Sequence, residues 1–184
     1  VSVSFKWLKI LQKHHSGLFH WQVSPLVNPD GLLQIKSQRM NANQVDLNRN
    51  FPSKESARAH NSYWQTNTHS DPRKYPGRKP LSEKESRWIF DLIDKFKPDV
   101  IVSVHAPFGL VDFDGESKPP SKLGSLYLNL LGTYPGSLGR YGSEVLNLPV
   151  ITVELEYAGI MPSQFEISKI WTDLIAWLIT YFAS

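Results

Sequence analysis

Apolar positions along the chain change their period several times, and each change marks an element. Val3, Phe5, Leu8 and Leu11 recur at near-helical spacing with Lys6, Lys9 and Lys13 between them, which predicts an amphipathic helix at the start of the chain. Phe19 to Val27 alternates apolar with polar residues and runs into Asn28, Pro29, Asp30 and Gly31, a strand followed by a turn. Residues 34–52 are polar, and a Ser-, Thr-, His- and Pro-containing stretch continues to Pro80 without a clear period. A long irregular region inside a domain usually carries function. Ser82 and Glu85 have capping-box spacing, and Trp88, Ile89, Leu92, Ile93 and Phe96 then form one face of a helix that ends near Pro98.

Asp99 to Val104 is a nearly unbroken apolar run, the pattern of a strand covered on both faces. The stretch from Gly115 to Gly124, with Pro119 and Pro120, reads as a loop, and Leu126 to Leu131 suits either a helix or a strand. After a turn at Tyr134, Pro135 and Gly136, residues 149–155 form a second buried strand. Ser163 and Glu166 repeat the capping-box spacing before a last helix whose Ile167, Ile170, Trp171, Leu174, Ile175, Leu178 and Phe182 face the core. Alternating strands and helices predict a layered α/β fold with a mixed, mostly parallel sheet, and its active site belongs at the strand carboxyl ends.

Composition narrows the reading. A chain of 184 residues with 41% apolar content can build one well-buried core, and no internal repeat or linker divides it, so residues 1–184 are expected to form a single domain. The net charge of +3, from 20 basic and 17 acidic side chains, is too small to argue for nucleic acid or a membrane surface. Arg73, Lys74, Arg78 and Lys79 form a basic run broken by Tyr75, Pro76 and Gly77; it reads as a solvated loop or as a guide for an anionic substrate. With no cysteine, disulfides, thiolate zinc sites and a cysteine nucleophile are excluded, and any metal must be held by His, Asp or Glu. No apolar run reaches the length of a membrane span, and no leader pattern opens the chain.

Three segments concentrate the chemistry. Arg39 to Pro52 holds two arginines, four asparagines and one aspartate. His105 ends one apolar strand and Glu154 ends another. From residue type alone, His105 can be a metal ligand or a hydrogen-bonded interior histidine. Likewise Glu154 can be a proton-transfer group or half of a structural ion pair; Thr152 and Glu156 share its side of the strand.

Taken in order, Asn28 to Gly31, Arg39 to Pro52, Ser82 and Glu83, His105 and Glu154 resemble the zinc carboxypeptidase family. Within it, His105 to Gly109, Asp112 to Gly115 and Tyr134 to Gly139 resemble the murein peptide amidase group. The resemblance implies a three-layer α/β/α fold and a Zn2+ hydrolase in which His105 is a metal ligand, Glu154 the general base and Arg39 the support for the developing oxyanion. It implies that Asn48 and Arg49 clamp the substrate's free carboxylate, Asp46 orients a zinc-binding histidine, and Tyr134 covers the substrate; Arg140 would reach a second substrate carboxylate. The family's first two zinc ligands come from a His-x-x-Glu pair, which these 184 residues do not contain. The expectation is that this pair lies before Val1 and that the chain is N-terminally incomplete.

The implied substrate is a murein peptide, cut between γ-D-glutamate and diaminopimelate. A carboxypeptidase for ordinary peptides, an aspartoacylase-type deacylase and a non-catalytic carboxylate-binding domain remain open alternatives. Compartment, cytoplasmic or periplasmic, and oligomeric state are not written in the sequence.

Overall fold

β-Branched residues dominate the two strands that end in His105 and Glu154, as pleated backbone favours. In the computed structural model, which describes residues 2–14 and 17–183, these are β1 (Ile101–His105) and β5 (Val150–Glu154). With β2 (Leu110–Asp114), β3 (Lys122–Leu123) and β4 (Leu126–Leu128) they form one mixed sheet in the order β1-β5-β2-β4-β3. Strand β4 runs parallel to β2, with Leu110 opposite Tyr127, and antiparallel to β3, with Leu123 opposite Leu126.

The β1–β5 register follows from two bonds. Ile101 N–H donates to the Pro149 carbonyl (3.0 Å), and Leu155 N–H donates to the His105 carbonyl (2.9 Å). In a parallel ladder a residue donates to the neighbour before its partner and accepts from the neighbour after it. Ile101 therefore pairs with Val150, and His105 pairs with Glu154.

The chain divides into two compact units. The first comprises Val1–Leu26, Val102–Gly132 and Ile151–Ser184. Its core includes Val111, Leu123, Ile151 and Val153, all fully buried. Helix α6 (Gln164–Ala183) buries Ile167, Ile170, Leu174 and Leu178, spaced three or four residues apart on one face, and packs on β3. Helix α1 (Ser2–His14) docks on α6 through Trp7, whose indole N–H donates to the Ile167 carbonyl at 3.1 Å.

Three expectations for this unit change. The inward residues of α1 are Val3 and Trp7, whereas Phe5 is 43% exposed, because Trp7 supplies both apolar area and a donor that Phe5 lacks. Phe19 to Val27 forms no strand. Its aromatic residues pack on α6 instead, with Trp21 5.1 Å from Trp171 and Phe19 5.7 Å from Phe182. At the start of α6, Ser163 Oγ accepts from Glu166 N–H at 3.1 Å. The Glu166 carboxylate, however, accepts from Ser125 N–H and Oγ–H, both at 2.7 Å, so only half of the capping box forms.

The second unit comprises Val27–Ile101 and Thr133–Val150. Phe51, Ile89 and Tyr141 form its buried centre, with Phe90, Ile93, Leu138 and Leu146 against them. Helix α2 (Pro29–Leu32) is one turn, capped by Asn28, whose Oδ1 accepts from Gly31 N–H at 2.9 Å. Helix α3 (Ala57–Asn67) lies in the stretch where no period was visible, and Ser56 caps it. Helix α4 (Lys84–Phe96) starts at a Glu83 N-cap rather than at the expected Ser82 to Glu85 box. Ser82 Oγ–H is drawn instead to Glu83 Oε1 at 2.7 Å, so it does not cap the helix. Lys97, in the left-handed region, ends α4 just before Pro98. Helix α5 (Leu138–Arg140) runs on through a π-helical turn at Tyr141–Val145.

Candidate functional site

Asparagines fix the backbone of the Arg39 to Pro52 segment. Asn41 Oδ1 accepts from the N–H groups of Asn43 and Val45, both at 3.1 Å, while its Nδ2 donates to Glu83 at 2.8 Å. Asn43 Nδ2 donates to the same Glu83 oxygen at 2.8 Å. Fully buried Asn50 is the hub: Nδ2 donates to Pro76 O, Lys79 O and Ser82 Oγ, and Oδ1 accepts from Glu83 N–H and Ser86 Oγ–H. Burial pushes the Glu83 carboxyl up, but the donors on Asn41, Ser82 and Asn43 outweigh it and hold its pKa below the usual value. These asparagines bind the loop together.

On that frame stand two arginines and one aspartate. Arg39 Nε and Nη2 both meet Asp46 Oδ2 at 2.8 Å. Asp46 Oδ1 accepts from Asn48 N–H at 3.1 Å, capping a 3-10 turn at Leu47–Arg49. The Asp46 carboxylate thus binds Arg39 and caps the turn. Arg49 lies farther away, with Nε 3.9 Å from Asp46 Oδ2, and its Nε–H is buried without a hydrogen-bond acceptor. Burial lowers the Arg49 pKa and Asp46 opposes that, but a guanidinium stays charged at any physiological pH. Two cations sharing one anion leave an excess positive charge, and it resides on Arg49.

Tyr134 covers that charge: its ring centroid is 3.9 Å from Arg49 Cζ, and Tyr63 of α3 meets it edge-on at 4.8 Å. Burial raises the Tyr134 pKa, with the Arg49 charge opposing. Asn48 Oδ1 accepts from Leu138 N–H at 2.8 Å. That bond orients the amide so that its NH2 is the end left to donate.

Arg140 departs from expectation. Its Nη2 pairs with Glu55 and its Nε with Glu144 at 3.0 Å, so two carboxylates already occupy the fork assigned to a substrate carboxylate. His60, Ser53, Glu55 and Tyr63 lie outside the motifs that single out the other site residues. The Ser56 cap followed by His60 and Tyr63 three residues apart is a local signal for the helix that carries those two.

In the first unit, His105 and Glu154 are register partners at the carboxyl ends of adjacent parallel strands. Register partners face the same side of a sheet, about 5 Å apart. Glu154 is only 6% exposed. Among the described residues no three His, Asp or Glu side chains gather to hold a metal ion. One imidazole beside one carboxylate falls short of the three protein ligands a catalytic zinc needs. The donors among the described residues do not make a complete zinc site.

The zinc carboxypeptidase family model matches residues 16–121. This chain belongs to that family. It is 34% identical to murein peptide amidase A of Escherichia coli K12 over 151 residues, 78% of this chain and 58% of that protein. The Vibrio campbellii murein peptide amidase A is 34% identical over 137 residues, 70% of this chain and 54% of that protein. The crystal structure of murein-tripeptide amidase MpaA from Escherichia coli O157 superposes with a TM-score of 0.60 at 28% identity, covering 84% of this chain and 66% of that one. The family's mixed-sheet α/β fold is therefore the fold of this chain, and the chain spans just over half the length of the curated relatives it matches. Family membership implies zinc.

Proposed function

We propose that this chain carries substrate-binding and proton-transfer residues of a zinc-dependent amidase that cleaves the amide next to a free carboxylate in a murein peptide. The observation that carries the reading is the excess charge on Arg49, since a buried guanidinium with one acceptor-poor edge suits a planar carboxylate. Arg49 and the Asn48 NH2 bind that carboxylate, and Tyr134 excludes water from it. Glu154 is the proton carrier: its carboxylate, nearly buried at the strand end, takes a proton from water and gives it to the leaving amine. His105 is proposed as one zinc ligand, completed by a His-x-x-Glu pair of the kind the family uses. Arg39, held by Asp46, supports the oxyanion from its ion pair.

The substrate class follows the names of the relatives, murein peptide amidase A and murein-tripeptide amidase. The test compares hydrolysis of L-Ala-γ-D-Glu-diaminopimelate, the same peptide amidated at the carboxyl next to the scissile bond, and an α-linked peptide, by zinc-loaded protein in which this chain is completed by a His-x-x-Glu pair. Cleavage of the first alone, lost by about a thousandfold in Glu154→Gln, is expected. Equal turnover of the α-linked peptide would move the assignment to an ordinary carboxypeptidase.

A further inference from the structure

Next to the carboxylate clamp lies a chain of polar contacts that the proposed chemistry does not use. Ser53 Oγ is 2.6 Å from Glu55 Oε2 and 2.5 Å from His60 Nε2. Glu55 in turn pairs with Arg140, and Arg140 with Glu144. The serine has one proton, and ionised Glu55 can only accept, so Ser53 donates to Glu55. His60 Nε2 must then carry a proton and donate to Ser53 Oγ, which fixes the tautomer of neutral His60 and leaves Nδ1 as an acceptor.

That Nδ1 faces Gly136. A Cβ built on Gly136 would lie 3.2 Å from His60 Nδ1 and only 2.1 Å from the Arg49 carbonyl oxygen. The segment from Thr133 to Arg140 is thus pressed between α3 and the backbone of Arg49. It is held there by Phe51 N–H to Gly136 O at 3.0 Å and by Leu138 N–H to Asn48 Oδ1. Three residues beyond His60, Tyr63 fixes the Tyr134 ring over the guanidinium. Both ends of the segment are therefore set by α3 and by the Ser53–Glu55–Arg140 chain.

We propose that His60, acting with Ser53, is a positioning residue: through the contact at Gly136 it holds Tyr134 and the Asn48 amide in place around Arg49, and so sets recognition of the substrate carboxylate. This rests on the reading of Asn48 and Arg49 as the carboxylate clamp. Neutral His60 is the form that fits. Burial lowers its pKa, and of the charged groups that bear on it Glu55 opposes that shift while Arg140 adds to it.

Two measurements on the same proteins separate the proposal from the reading beneath it. The first is amide hydrogen exchange at Phe51 and Leu138, which needs no substrate. Exchange is expected to rise about five- to tenfold in His60→Ala and Ser53→Ala, the loss of roughly one hydrogen bond, and to stay near wild type in His60→Gln, whose amide can still donate to Ser53. Should His60→Ala fail to fold, Ser53→Ala decides. Unchanged exchange in the folded variants overturns the proposal. The second is binding of N-acetyl-lysine against N-acetyl-lysinamide, with an expected five- to tenfold loss of carboxylate preference in the variants whose exchange rises. If exchange rises and the preference stays, His60 is merely structural and the proposal fails. If wild type itself shows no preference, the clamp reading is what fails, and the exchange result still decides whether His60 holds the segment.

Discussion

Replacing Gly136 with alanine tests how tightly the segment carrying Tyr134 is bound to the arginine loop. Gly136 sits at φ +77°, a region where a side chain costs about 1–2 kcal/mol. The added methyl would also lie 2.1 Å from the Arg49 carbonyl oxygen and 2.7 Å from its carbon, both backbone atoms that no rotamer change can clear. The two chains must separate, and separation stretches the bonds from Phe51 N–H to Gly136 O and from Leu138 N–H to Asn48 Oδ1. Each is worth about 1 kcal/mol. Strain and lost bonds together predict destabilisation of about 3–4 kcal/mol, measured as a shifted urea midpoint at unchanged slope. The binding preference for N-acetyl-lysine over its amide should fall in the same variant, because the ring over Arg49 moves with the segment. A loss below about 1 kcal/mol would refute the reasoning, since strain alone exceeds it.

Two further outcomes follow from the asparagine frame. Asn50→Ala removes both halves of an amide that makes five contacts in a fully buried position, leaving Pro76 O, Lys79 O, Glu83 N–H and Ser86 Oγ short of a partner; a loss of about 3 kcal/mol by denaturant titration is expected, and a neutral result would contradict the frame. Glu83, whose folded pKa lies below 4.5, stabilises fully above that value, and its contribution fades as pH falls through the folded pKa, where the native carboxylate must take up a proton; Glu83→Gln should flatten this acid limb of the stability profile below pH 4.5, and an unaltered limb would count against it.

What could be read from the sequence was whatever depends on period or on chain order. Strand β5 and helix α6 were legible because Val150, Ile151 and Val153 are buried in one run and Ile167, Ile170, Leu174 and Leu178 repeat along one face. His105 and Glu154 were legible as strand ends, and their pairing adds that they stand side by side. Helix α3 was not legible, because His60 is its one buried residue; its order comes from the Ser56 cap and from contacts with residues distant in sequence. Likewise Phe19 to Val27 alternates as a strand would, but no ladder partner is present and its rings find α6. Local pattern cannot register a partner supplied by tertiary structure.

The arginines show the same limit in its electrostatic form. Arg39, Arg49 and Arg140 look equivalent as candidates for binding an anion, and only the placement of acids tells them apart. Arg140 meets Glu55 and Glu144, and Arg39 takes one Asp46 oxygen through two nitrogens, so each has a close carboxylate partner within the protein. Arg49 donates through Nη1 to the Asn48 carbonyl and otherwise has Asp46 at 3.9 Å, an aromatic face and a buried Nε–H without an acceptor. Burying a guanidinium under those conditions costs free energy that a folded chain recovers only when a ligand supplies the missing acceptor. For that reason Arg49→Ala should abolish the carboxylate preference in the binding assay while destabilising the protein less than Gly136→Ala in urea titration; a retained preference would contradict the assignment.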